Sequence, residues 1–581
     1  MAGRNAACDT ASSVRYLALA CDYDGTLATH GEVTESTLAG LQRLRASGRK
    51  LVLVTGRELP DLLRVFPRAD VFDRVVAENG ALLYTPAVQK EVALAPRPPE
   101  QFLAALRSKD VEPLRVGRCI VATRQPNEGL VLDTIRELGL ELHIAFNKGA
   151  VMVLPPSVNK CTGLLAALRE LRLSVHNTVG VGDGENDHAL LCACEAAVAV
   201  ANAVPSLKDD ADWSTSATGS AGIEELIKRL LLDDLSSLEP RLERHHLLLG
   251  ARVQDPQHEV RLPPHGTRLL VAGSIKSGKS SLTLGVLERL MAAGYQYCLV
   301  DPEGDYEAMD GAVNVGDEHR PPSFDEVLHV LRRPDESVVV CLLALSREER
   351  PRYLTGLLPR LEQLHAETAR PHWLILDEAH HLAPASVADV NVTAFGGLML
   401  VTVRPGRLAR SVLNAVNLVC AVGEAPDRTA GEFAEVVGSS KPASVSVKKL
   451  ENGEAVLWAR DEDRAHHIRV EPSVGDRRRH RRKYALGELP PDRSFYFRGP
   501  DLRLRLRAQN LSDFLQLADG VDEATWTHHL RAGDYSRWVR TELKDKKLAK
   551  RLAAIEQDTS LSADEARARA RAAIEERYAP P

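Results

Sequence analysis

Two aspartates separated by one residue are the first candidates for chemistry. The segment CDYDGT occupies residues 21–26 and follows the apolar run YLALA. In an extended strand, residues two apart point to the same face, so Asp22 and Asp24 can reach one site. Two close carboxylates repel unless a cation or a proton lies between them, and Mg²⁺ prefers such oxygen ligands. Asp22 could then be a nucleophile that forms an aspartyl-phosphate, with Asp24 protonating the leaving oxygen.

Three further segments place polar side chains where they could serve the same reaction. LVLVTGR ends a predicted strand in Thr55, whose hydroxyl could hold a phosphoryl oxygen. SVNKCTGL places Lys160 near a helix start, where a cation can neutralise a developing aspartyl-phosphate. VGVGDGEND ends another predicted strand in Asp183 and opens the next helix with Asn186 and Asp187. Asp183 is therefore a candidate third carboxylate for the metal.

In this order, DYDGT, VTGR, the lysine of VNKCTGL and GDGEND resemble the four motifs of the haloacid dehalogenase-like (HAD) superfamily. ENGA (78–81) and AVANAVPSLKDDADW (199–213) resemble features of its Cof-type sugar-phosphatase branch. The resemblance covers about residues 14–230 and implies a Mg²⁺-dependent phosphatase for a small phosphorylated metabolite, such as a sugar phosphate. It implies that Asp22 is the nucleophile and Asp24 the acid and base, that Thr55, Gly56, Lys160 and Asn186 hold the phosphate, and that Asp22, Asp24 (through its backbone oxygen), Asp183 and Asp187 hold the metal.

The elements around these motifs alternate between strand and helix. Residues 14–24 and 50–55 are predicted strands, and residues 34–47 form the predicted helix between them. This alternation predicts a mostly parallel, Rossmann-like sheet with helices on its faces. The less regular segment 84–155 is predicted to be a small inserted α+β cap.

The cap segment contains four cations that could contact an anionic substrate. They are Lys148, Arg115, Arg118 and Arg124. The alternative is that they are solvated surface charges, and for exposed lysine and arginine this is the favoured interpretation.

A second constellation begins with GSIKSGKS at 273–280, between the apolar run RLLVA and the helical run SLTLGVLERL. It matches the phosphate-binding pattern G-x-x-x-x-G-K-[ST], in which backbone N–H groups cradle phosphates. Lys279 would reach the β- and γ-phosphates, and Ser280 would bind Mg²⁺. WLILDEAHHL ends a strand in Asp377, suited to the Mg²⁺ shell, and Glu378, placed to activate water. The predicted ATP-binding residues are Gly273, Ser274, Lys276, Ser277, Gly278, Lys279, Ser280 and Ser281.

Together with LVDPEGDY (299–306) and LVTVRPGRL (400–408), these segments resemble the HerA/FtsK-type P-loop ATPases. The resemblance covers roughly residues 245–460. It implies a second α/β domain that binds and hydrolyses ATP, and it leaves open a homo-oligomer built through that domain.

The chain departs from this ATPase pattern at one position. Those ATPases commonly have Gln where this chain has Val403, so the residue that would sense the γ-phosphate is missing or moved to Thr402. Arg404, Arg407 and Arg410 could include an arginine finger acting across a subunit boundary. Plain surface arginine is an equal alternative for each.

The domain layout follows from these patterns. The 581 residues are predicted to form a phosphatase domain (1–232, with its cap at about 84–155), a linker (233–244), the P-loop domain (245–475), and a basic linker with a charged, mainly helical region (476–581). No apolar run approaches a membrane span and no signal peptide is recognised, so a cytoplasmic location is expected.

The main functional hypothesis is a phosphatase fused to an ATP-binding domain that regulates or oligomerises it. The alternative is a HerA-like nucleic-acid motor with an accessory phosphatase domain, and a non-catalytic ATP-dependent scaffold is a third hypothesis. The basic run RRRHRRK (477–483) could contact phosphates. The formal net charge of -6 and the 4% aromatic content do not favour nucleic-acid binding.

Overall fold

The computed structural model describes residues 14–147, 149–274, 277–306, 309–387, 390–439, 450–473, 489, 494–501, 504–543 and 545–578. The described residues form two compact units. The first comprises those of 1–279 and 289–471, and the second those of 280–288 and 472–581. The first unit contains the described residues of both predicted phosphate sites up to Lys279.

The first part of the chain folds into a large sheet with an inserted smaller sheet. Its elements are β1 (Ala18–Asp22), α1 (Glu35–Ala46), β2 (Lys50–Val54), α2 (Leu59–Val65), β3 (Arg74–Ala77), β4 (Leu82–Thr85), β5 (Lys90–Ala93), α3 (Glu100–Ser108), β6 (Arg115–Val116), β7 (Val121–Arg124), α4 (Glu128–Glu137), β8 (His143–Asn147), β9 (Ala150–Leu154), α5 (Lys160–Leu171), β10 (Thr178–Gly182), α6 (His188–Ala193), β11 (Ala196–Ala199), α7 (Pro205–Asp210), β12 (Trp213–Ser214) and α8 (Gly219–Asp233).

The large sheet has the strand order β12-β11-β10-β1-β2-β3-β4-β5. It is parallel from β12 to β3, and β4 and β5 add an antiparallel edge. Every residue of β1 is buried because helices cover both faces of the sheet. Leu19 and Cys21 face one apolar cluster, whereas Ala18 and Ala20 face the other. The predicted parallel α/β sheet is therefore confirmed.

The cap is a separate antiparallel sheet of order β6-β7-β9-β8. Helices α3 and α4 cover one of its faces, where Phe102 and Val131 pack against Val121 and Val153. The sequence predicted a cap over about 84–155, but the segment 82–93 forms β4 and β5 of the large sheet. The apolar residues at the start of β4 are buried there, which accounts for that difference.

The second part of the chain forms an 11-stranded sheet. Its elements are β13 (Leu247–Arg252), β14 (Glu259–Leu262), β15 (Arg268–Gly273), α9 (Lys279–Ala292), β16 (Tyr297–Asp301), β17 (Ala312–Val315), α10 (Phe324–Leu331), β18 (Ser337–Cys341), α11 (Glu349–Thr368), β19 (Trp373–Leu376), β20 (Gly397–Thr402), α12 (Arg410–Asn414), β21 (Leu418–Val422), α13 (Pro426–Val437), β22 (Glu454–Ala459) and β23 (His466–Val470).

The strands of this sheet follow the order β14-β13-β23-β22-β21-β15-β20-β19-β16-β18-β17. The seven strands from β21 to β17 are parallel, and the remaining four are antiparallel. Strands β15 and β19, which precede the two predicted ATP motifs, flank β20. Their carboxyl ends therefore lie two strand spacings apart, about 10 Å.

The two sheets meet at their amino edges through a junction of buried polar side chains. Glu195, just before β11, accepts from Arg15 at 2.5 Å, from His176 Nδ1 at 2.7 Å and from the hydroxyl of Tyr295 at 2.7 Å. His176 Nε2 donates to the carbonyl of Ala293 at 2.8 Å. Tyr295 and Ala293 lie two and four residues before β16, so these bonds connect segments at the starts of strands in both sheets.

A second set of bonds extends this junction. His372 Nε2 donates to Asn177 Oδ1 at 3.2 Å, while His372 Nδ1 accepts from the backbone N–H of Gln296 at 2.8 Å. Arg370 donates to the carbonyl of Arg172 at 2.8 Å. Such bonds supply the partners that buried polar groups need, although Arg370 Nε has none among the described residues.

The C-terminal unit has its own core. Its elements beyond residue 489 are β24 (Phe495–Phe497), β25 (Leu506–Ala508), α14 (Leu511–Gly520), α15 (Glu523–Ala532), α16 (Asp534–Thr541), α17 (Lys546–Gln557) and α18 (Ala563–Tyr578). Aromatic rings of β24 and the helices pack together, among them Phe495, Phe514, Trp526, Tyr535 and Trp538. The basic run 477–483 lies outside the described residues. No described helix has the length and apolar character needed to cross a bilayer.

A close approach between α5 and the turn after β3 yields a stability prediction. A Cβ on Gly163 would lie 2.4 Å from Val76 Cγ1 and 2.6 Å from Gly80 Cα. Gly163→Ala should lower the free energy of unfolding by about 1–3 kcal/mol because backbone must move. Gly129→Ala, in α4 with no neighbour within 4 Å of the added Cβ, should be neutral or stabilising by up to about 1 kcal/mol. Denaturant midpoints measure both, and equal shifts would contradict the packing argument.

Candidate active site

Three candidate residues lie at the carboxyl ends of adjacent strands in the large sheet. Asp22 is the last residue of β1, Thr55 follows β2, and Asp183 follows β10. Because β1 pairs with both β2 and β10 in parallel, the three ends meet at one edge. Ligands bind at this edge in open α/β sheets.

Lys160 lies between two carboxylates in the interior of this edge. Its Nζ is 2.6 Å from Asp22 Oδ1 and 2.6 Å from Asp187 Oδ1, and its side chain is 1% exposed. Lys160 is the first residue of α5, whose start is fixed by a capping box between Asn159 and Thr162. Burial raises the pKa of Asp22 to about 7, and the nearby Asp187 adds to this shift while Lys160 opposes it.

Three buried carboxylates could hold a metal ion. One oxygen each of Asp22, Asp183 and Asp187 lies within 4.8 Å of the others. Asp187 also accepts from the backbone N–H of Asp183 and Gly184, and Asp183 accepts from Thr26 at 3.3 Å and from Asn202 at 3.1 Å. The single positive charge of Lys160 does not balance the negative charges of three carboxylates, and carboxylate oxygens are ligands that Mg²⁺ prefers. The residues present therefore fit the predicted ion.

Asp24 has a different environment from the one that strand alternation predicts. Its carboxylate accepts from Arg57 Nε and Nη2, both at 2.7 Å, and Arg57 also bonds to Asp61 at 2.6 Å. The Asp24 side chain is 40% exposed and lies outside the three-carboxylate cluster. The reason is that β1 ends at Asp22, so the two-residue period of a strand does not extend to Asp24.

The remaining predicted phosphate-binding residues lie beside this cluster. Thr55 is buried, and its Oγ1 accepts from the backbone N–H of Arg57 at 3.1 Å. Asn186 Nδ2 donates to Asn79 Oδ1 at 3.0 Å, and its own Oδ1 is buried without a hydrogen-bond partner among the described residues. A Cβ on Gly56 would lie 3.5 Å from Met152 Sδ, so the cap covers this position.

The structure adds residues that the sequence analysis did not assign to the site. Arg57, Asn79, Thr26 and Asn202 all bond to predicted site residues. Each lies within or beside a segment quoted for the HAD resemblance. Their position in or beside these motifs could therefore have indicated a role at the site. Their bonding partners, however, are distant in sequence, and only the fold identifies them.

Glu78 connects the sheet edge that carries the candidate site to the cap. It is buried, has φ of 52°, and its two carboxylate oxygens accept from the backbone N–H groups of Arg118, Cys119 and Ile120 at 2.7, 2.7 and 3.2 Å. A Cβ on Gly117 would lie 2.6 Å from a Glu78 oxygen. The loop between β6 and β7 is thus held against the turn that follows β3.

The second predicted phosphate loop connects β15 to α9. Gly273 ends β15, and Gly278 has φ of 96° immediately before the helix. Lys279 begins α9, and its Nζ donates to the carbonyls of Gly273 at 3.1 Å and Ser274 at 3.0 Å. Of the other predicted residues, Ser277 lies in the loop, Ser280 and Ser281 lie in the first turn of α9, and Lys276 lies outside the described residues.

Two acidic residues follow β19. Asp377 is buried, and burial together with the nearby Asp301 raises its pKa well above the usual range. Glu378 has φ of 38°, and burial raises its pKa while Lys279 opposes the shift. Lys279 thus lies within electrostatic range of both acids, and burial lowers its own pKa.

The segment after β20 contains the remaining predicted ATPase residues. Thr402 is buried, with Oγ1 3.2 Å from His380 Nδ1 and 3.3 Å from the backbone N of Arg404. The side chains of Arg404, Arg407 and Arg410 are exposed. Thr402 therefore lies on the same strand end as Val403, the position where the ATPases that the sequence resembles have Gln.

Comparison with known proteins identifies the first domain. A family profile described as haloacid dehalogenase-like hydrolase matches residues 19–116 and 133–227. A phosphoglycolate phosphatase of Methanothermobacter thermautotrophicus is 29% identical over 224 residues, which cover 37% of this chain and 98% of that protein. Phosphoglycolate phosphatase 2 of Saccharolobus solfataricus is 30% identical over 220 residues, covering 37% of this chain and 91% of that protein.

A solved structure gives a similar coverage. A haloacid dehalogenase-like hydrolase from Bacteroides thetaiotaomicron is 18% identical, with a TM-score of 0.33, and covers 37% of this chain and 99% of that chain. The predicted family of the first domain is confirmed by the profile and by the curated relatives. Through this N-terminal region, the chain belongs to the haloacid dehalogenase-like hydrolases.

Proposed function

We propose that this chain is a Mg²⁺-dependent phosphomonoester hydrolase that acts on a small phosphorylated metabolite. The observation that carries the proposal is the position of Lys160 between Asp22 and Asp187, beside a third buried carboxylate at the same sheet edge. A buried lysine with two acidic partners can hold a nucleophilic carboxylate in one orientation and receive phosphoryl charge. The membership in a family of hydrolases supports this assignment.

In the proposed reaction, a carboxylate oxygen of Asp22 attacks the phosphorus and the bond to the ester oxygen breaks. Asp24 gives its proton to the leaving oxygen, which departs as an alcohol. Asp24 then takes a proton from water as the water attacks the aspartyl-phosphate, which releases inorganic phosphate and regenerates Asp22. In this role, the Asp24 carboxyl leaves its ion pair with Arg57 and contacts the leaving oxygen and the attacking water instead.

The neighbouring residues supply charge and orientation. Lys160 and the Thr55 hydroxyl bind phosphoryl oxygens, and Asp187 orients the lysine. Mg²⁺, when bound by Asp22 and Asp183 with the backbone oxygen of Asp24, offsets the negative charge of the carboxylates and the phosphoryl group. Asn202 donates to Asp183 and to the carbonyl of Gly25, so it orients Asp183, a proposed metal ligand.

The proposed substrate is a small phosphomonoester. The cap sheet lies over Gly56, which limits the space above the phosphate position. The curated relatives are named for phosphoglycolate, and the sequence features of the sugar-phosphatase branch keep a sugar phosphate as the alternative.

We also propose that the second α/β domain binds and hydrolyses ATP. The strand–loop–helix arrangement of β15 and α9, the buried Lys279, and the acidic pair after β19 support this. The loop amides would bind phosphates, Asp377 would contribute to the Mg²⁺ shell, and Glu378 would orient water. No described residue favours the nucleic-acid motor, whose basic run lies outside the described residues, so that alternative stays a prediction.

Replacing the nucleophile tests the phosphatase assignment. Asp22→Asn should reduce p-nitrophenyl phosphate hydrolysis by about 10³-fold or more, because the amide oxygen is a poor nucleophile. Asp70→Asn, at an exposed position, is the matched control and should keep wild-type activity. Steady-state release of p-nitrophenol measures both variants. Wild-type turnover by Asp22→Asn would refute the nucleophile.

Removing a metal-orienting bond tests the Mg²⁺ assignment. Asn202→Ala should raise the Mg²⁺ concentration for half-maximal activity about 10- to 100-fold, because Asp183 loses the donor that orients it. Asn414→Ala, on the exposed side of α12, should leave the Mg²⁺ activation curve unchanged. Activity insensitive to metal chelation in the wild type would overturn the metal assignment itself.

Nucleotide binding is tested at the P-loop lysine. Lys279→Ala should weaken ATP binding about 10- to 100-fold, the usual consequence of losing one charge-assisted hydrogen bond. Lys90→Ala, at an exposed position of β5, is the charge-matched control. Isothermal titration with Mg-ATP provides the measurement, and equal affinity for the wild type and Lys279→Ala would contradict the P-loop assignment.

A further inference from the structure

One face of the cap sheet covers the catalytic edge. Helices α3 and α4 pack on the opposite face, against Val121 and Val153. Met152, which alternates with those positions along β9, lies over Gly56 and belongs to an apolar cluster that includes Ala81 of the large domain. Strand β8 also contacts the turn Glu185–Asp187. This cap face is therefore the roof of the proposed phosphate site.

Strand register defines which side chains form the roof beside Met152. Met152 pairs with Ala122 on one side and with Ala145 on the other, and Ala122 pairs with Arg115. Residues directly opposite across antiparallel strands project from the same face. Arg115, Ala122, Met152 and Ala145 thus form one transverse row. The alanines leave space beneath the roof, and Arg115 is the cation of this row.

The position of this row over the site is fixed by Glu78. Its carboxylate holds the loop between β6 and β7 through three backbone N–H groups, as described above. That loop begins two residues after Arg115, so the strand that carries Arg115 is anchored to the catalytic domain. The guanidinium also acts on the catalytic domain electrostatically: burial raises the pKa of Glu58, and Arg115 opposes that shift.

Arg115 differs from the neighbouring cap arginine in its partners. Arg118 forms an ion pair with Glu91 at 3.1 Å. Arg115 is exposed, and within the described part of the chain its guanidinium has no hydrogen bond or ion pair. A guanidinium above a substrate site without such a partner can bind a carboxylate through two parallel hydrogen bonds.

We propose that Arg115 is a substrate-binding residue that selects phosphomonoesters carrying a carboxylate at the end away from the phosphate. The inference rests on the proposed phosphatase function and specifies its substrate class. With the phosphate at Thr55 and Lys160, a short substrate extends below the row, and Arg115 lies two strands, about 10 Å, from Met152 along it. A neutral alcohol group at the same end gains no charge-assisted bond from the guanidinium.

Two substrates that differ only at that end provide the test. 2-Phosphoglycolate and 2-hydroxyethyl phosphate share a two-carbon ester, with a carboxylate in one and a hydroxymethyl group in the other. Arg115→Gln should lower kcat/KM for 2-phosphoglycolate about 10- to 100-fold, mainly through KM, and change it less than about twofold for 2-hydroxyethyl phosphate. Arg115→Lys should recover part of the loss because the charge returns without the bidentate geometry.

Matched variants separate this role from general charge and from cap folding. Arg118→Gln removes a cap arginine that is already paired, and Arg124→Gln removes the arginine two residues beyond Ala122 on β7. Both should retain the substrate preference. A larger loss in Arg124→Gln than in Arg115→Gln, or an equal loss for both substrates in Arg115→Gln, would overturn the proposal.

Assays of the wild-type enzyme separate a failure of the proposed Arg115 role from a failure of the proposed phosphatase function. Hydrolysis of p-nitrophenyl phosphate without preference for 2-phosphoglycolate over 2-hydroxyethyl phosphate would overturn the role of Arg115 and leave the phosphatase function standing. Absence of hydrolysis of all three compounds with Mg²⁺ present would overturn the phosphatase function itself.

Discussion

A lysine ammonium buried between two carboxylates is the interaction on which the candidate active site depends. Moving such ions out of water costs several kcal/mol each, and the cost is offset only when geometry and further hydrogen bonds are good. Three parts of the fold provide this geometry. Strand β1 delivers Asp22, the capping box delivers Lys160 at the start of α5, and backbone N–H groups after β10 hold Asp187. These elements bring the charges together, and the attraction between the charges in turn holds the elements in place.

Residues at strand ends were the part of the site that sequence could predict. An apolar run followed by an acid or a hydroxyl places its last residue at a sheet edge, and this located Asp22, Thr55 and Asp183 correctly on adjacent strands. Asp24 shows the limit of that reasoning. Its alternation with Asp22 required a strand that continues to Asp24, whereas β1 ends two residues earlier, and the guanidinium of Arg57, which follows β2, binds the Asp24 carboxylate.

Most features of the fold and the candidate site that the sequence did not predict depend on contacts between residues far apart in the chain. Glu78 lies in a segment that reads as a turn between two strands, and nothing local indicates that it holds a loop some 40 residues later. The same applies to Asn202 and to the strand pairing of 82–93, where apolar residues suit either a cap or a sheet edge. The junction residues were missed for a related reason: a polar residue just before a strand looks like ordinary loop until its partner in the other sheet is known.

The junction has a consequence for the independence of the two α/β domains. Both proposed sites lie at the carboxyl ends of their strands, whereas Glu195, His176 and Tyr295 join the sheets at the amino ends. The junction therefore lies at the strand ends opposite to both proposed sites. Cutting the chain between the domains would also leave the Glu195 carboxylate without its tyrosine donor and expose a surface of half-satisfied polar groups. In engineering terms, the two domains form one block joined by buried polar hydrogen bonds, and separating them would disturb both.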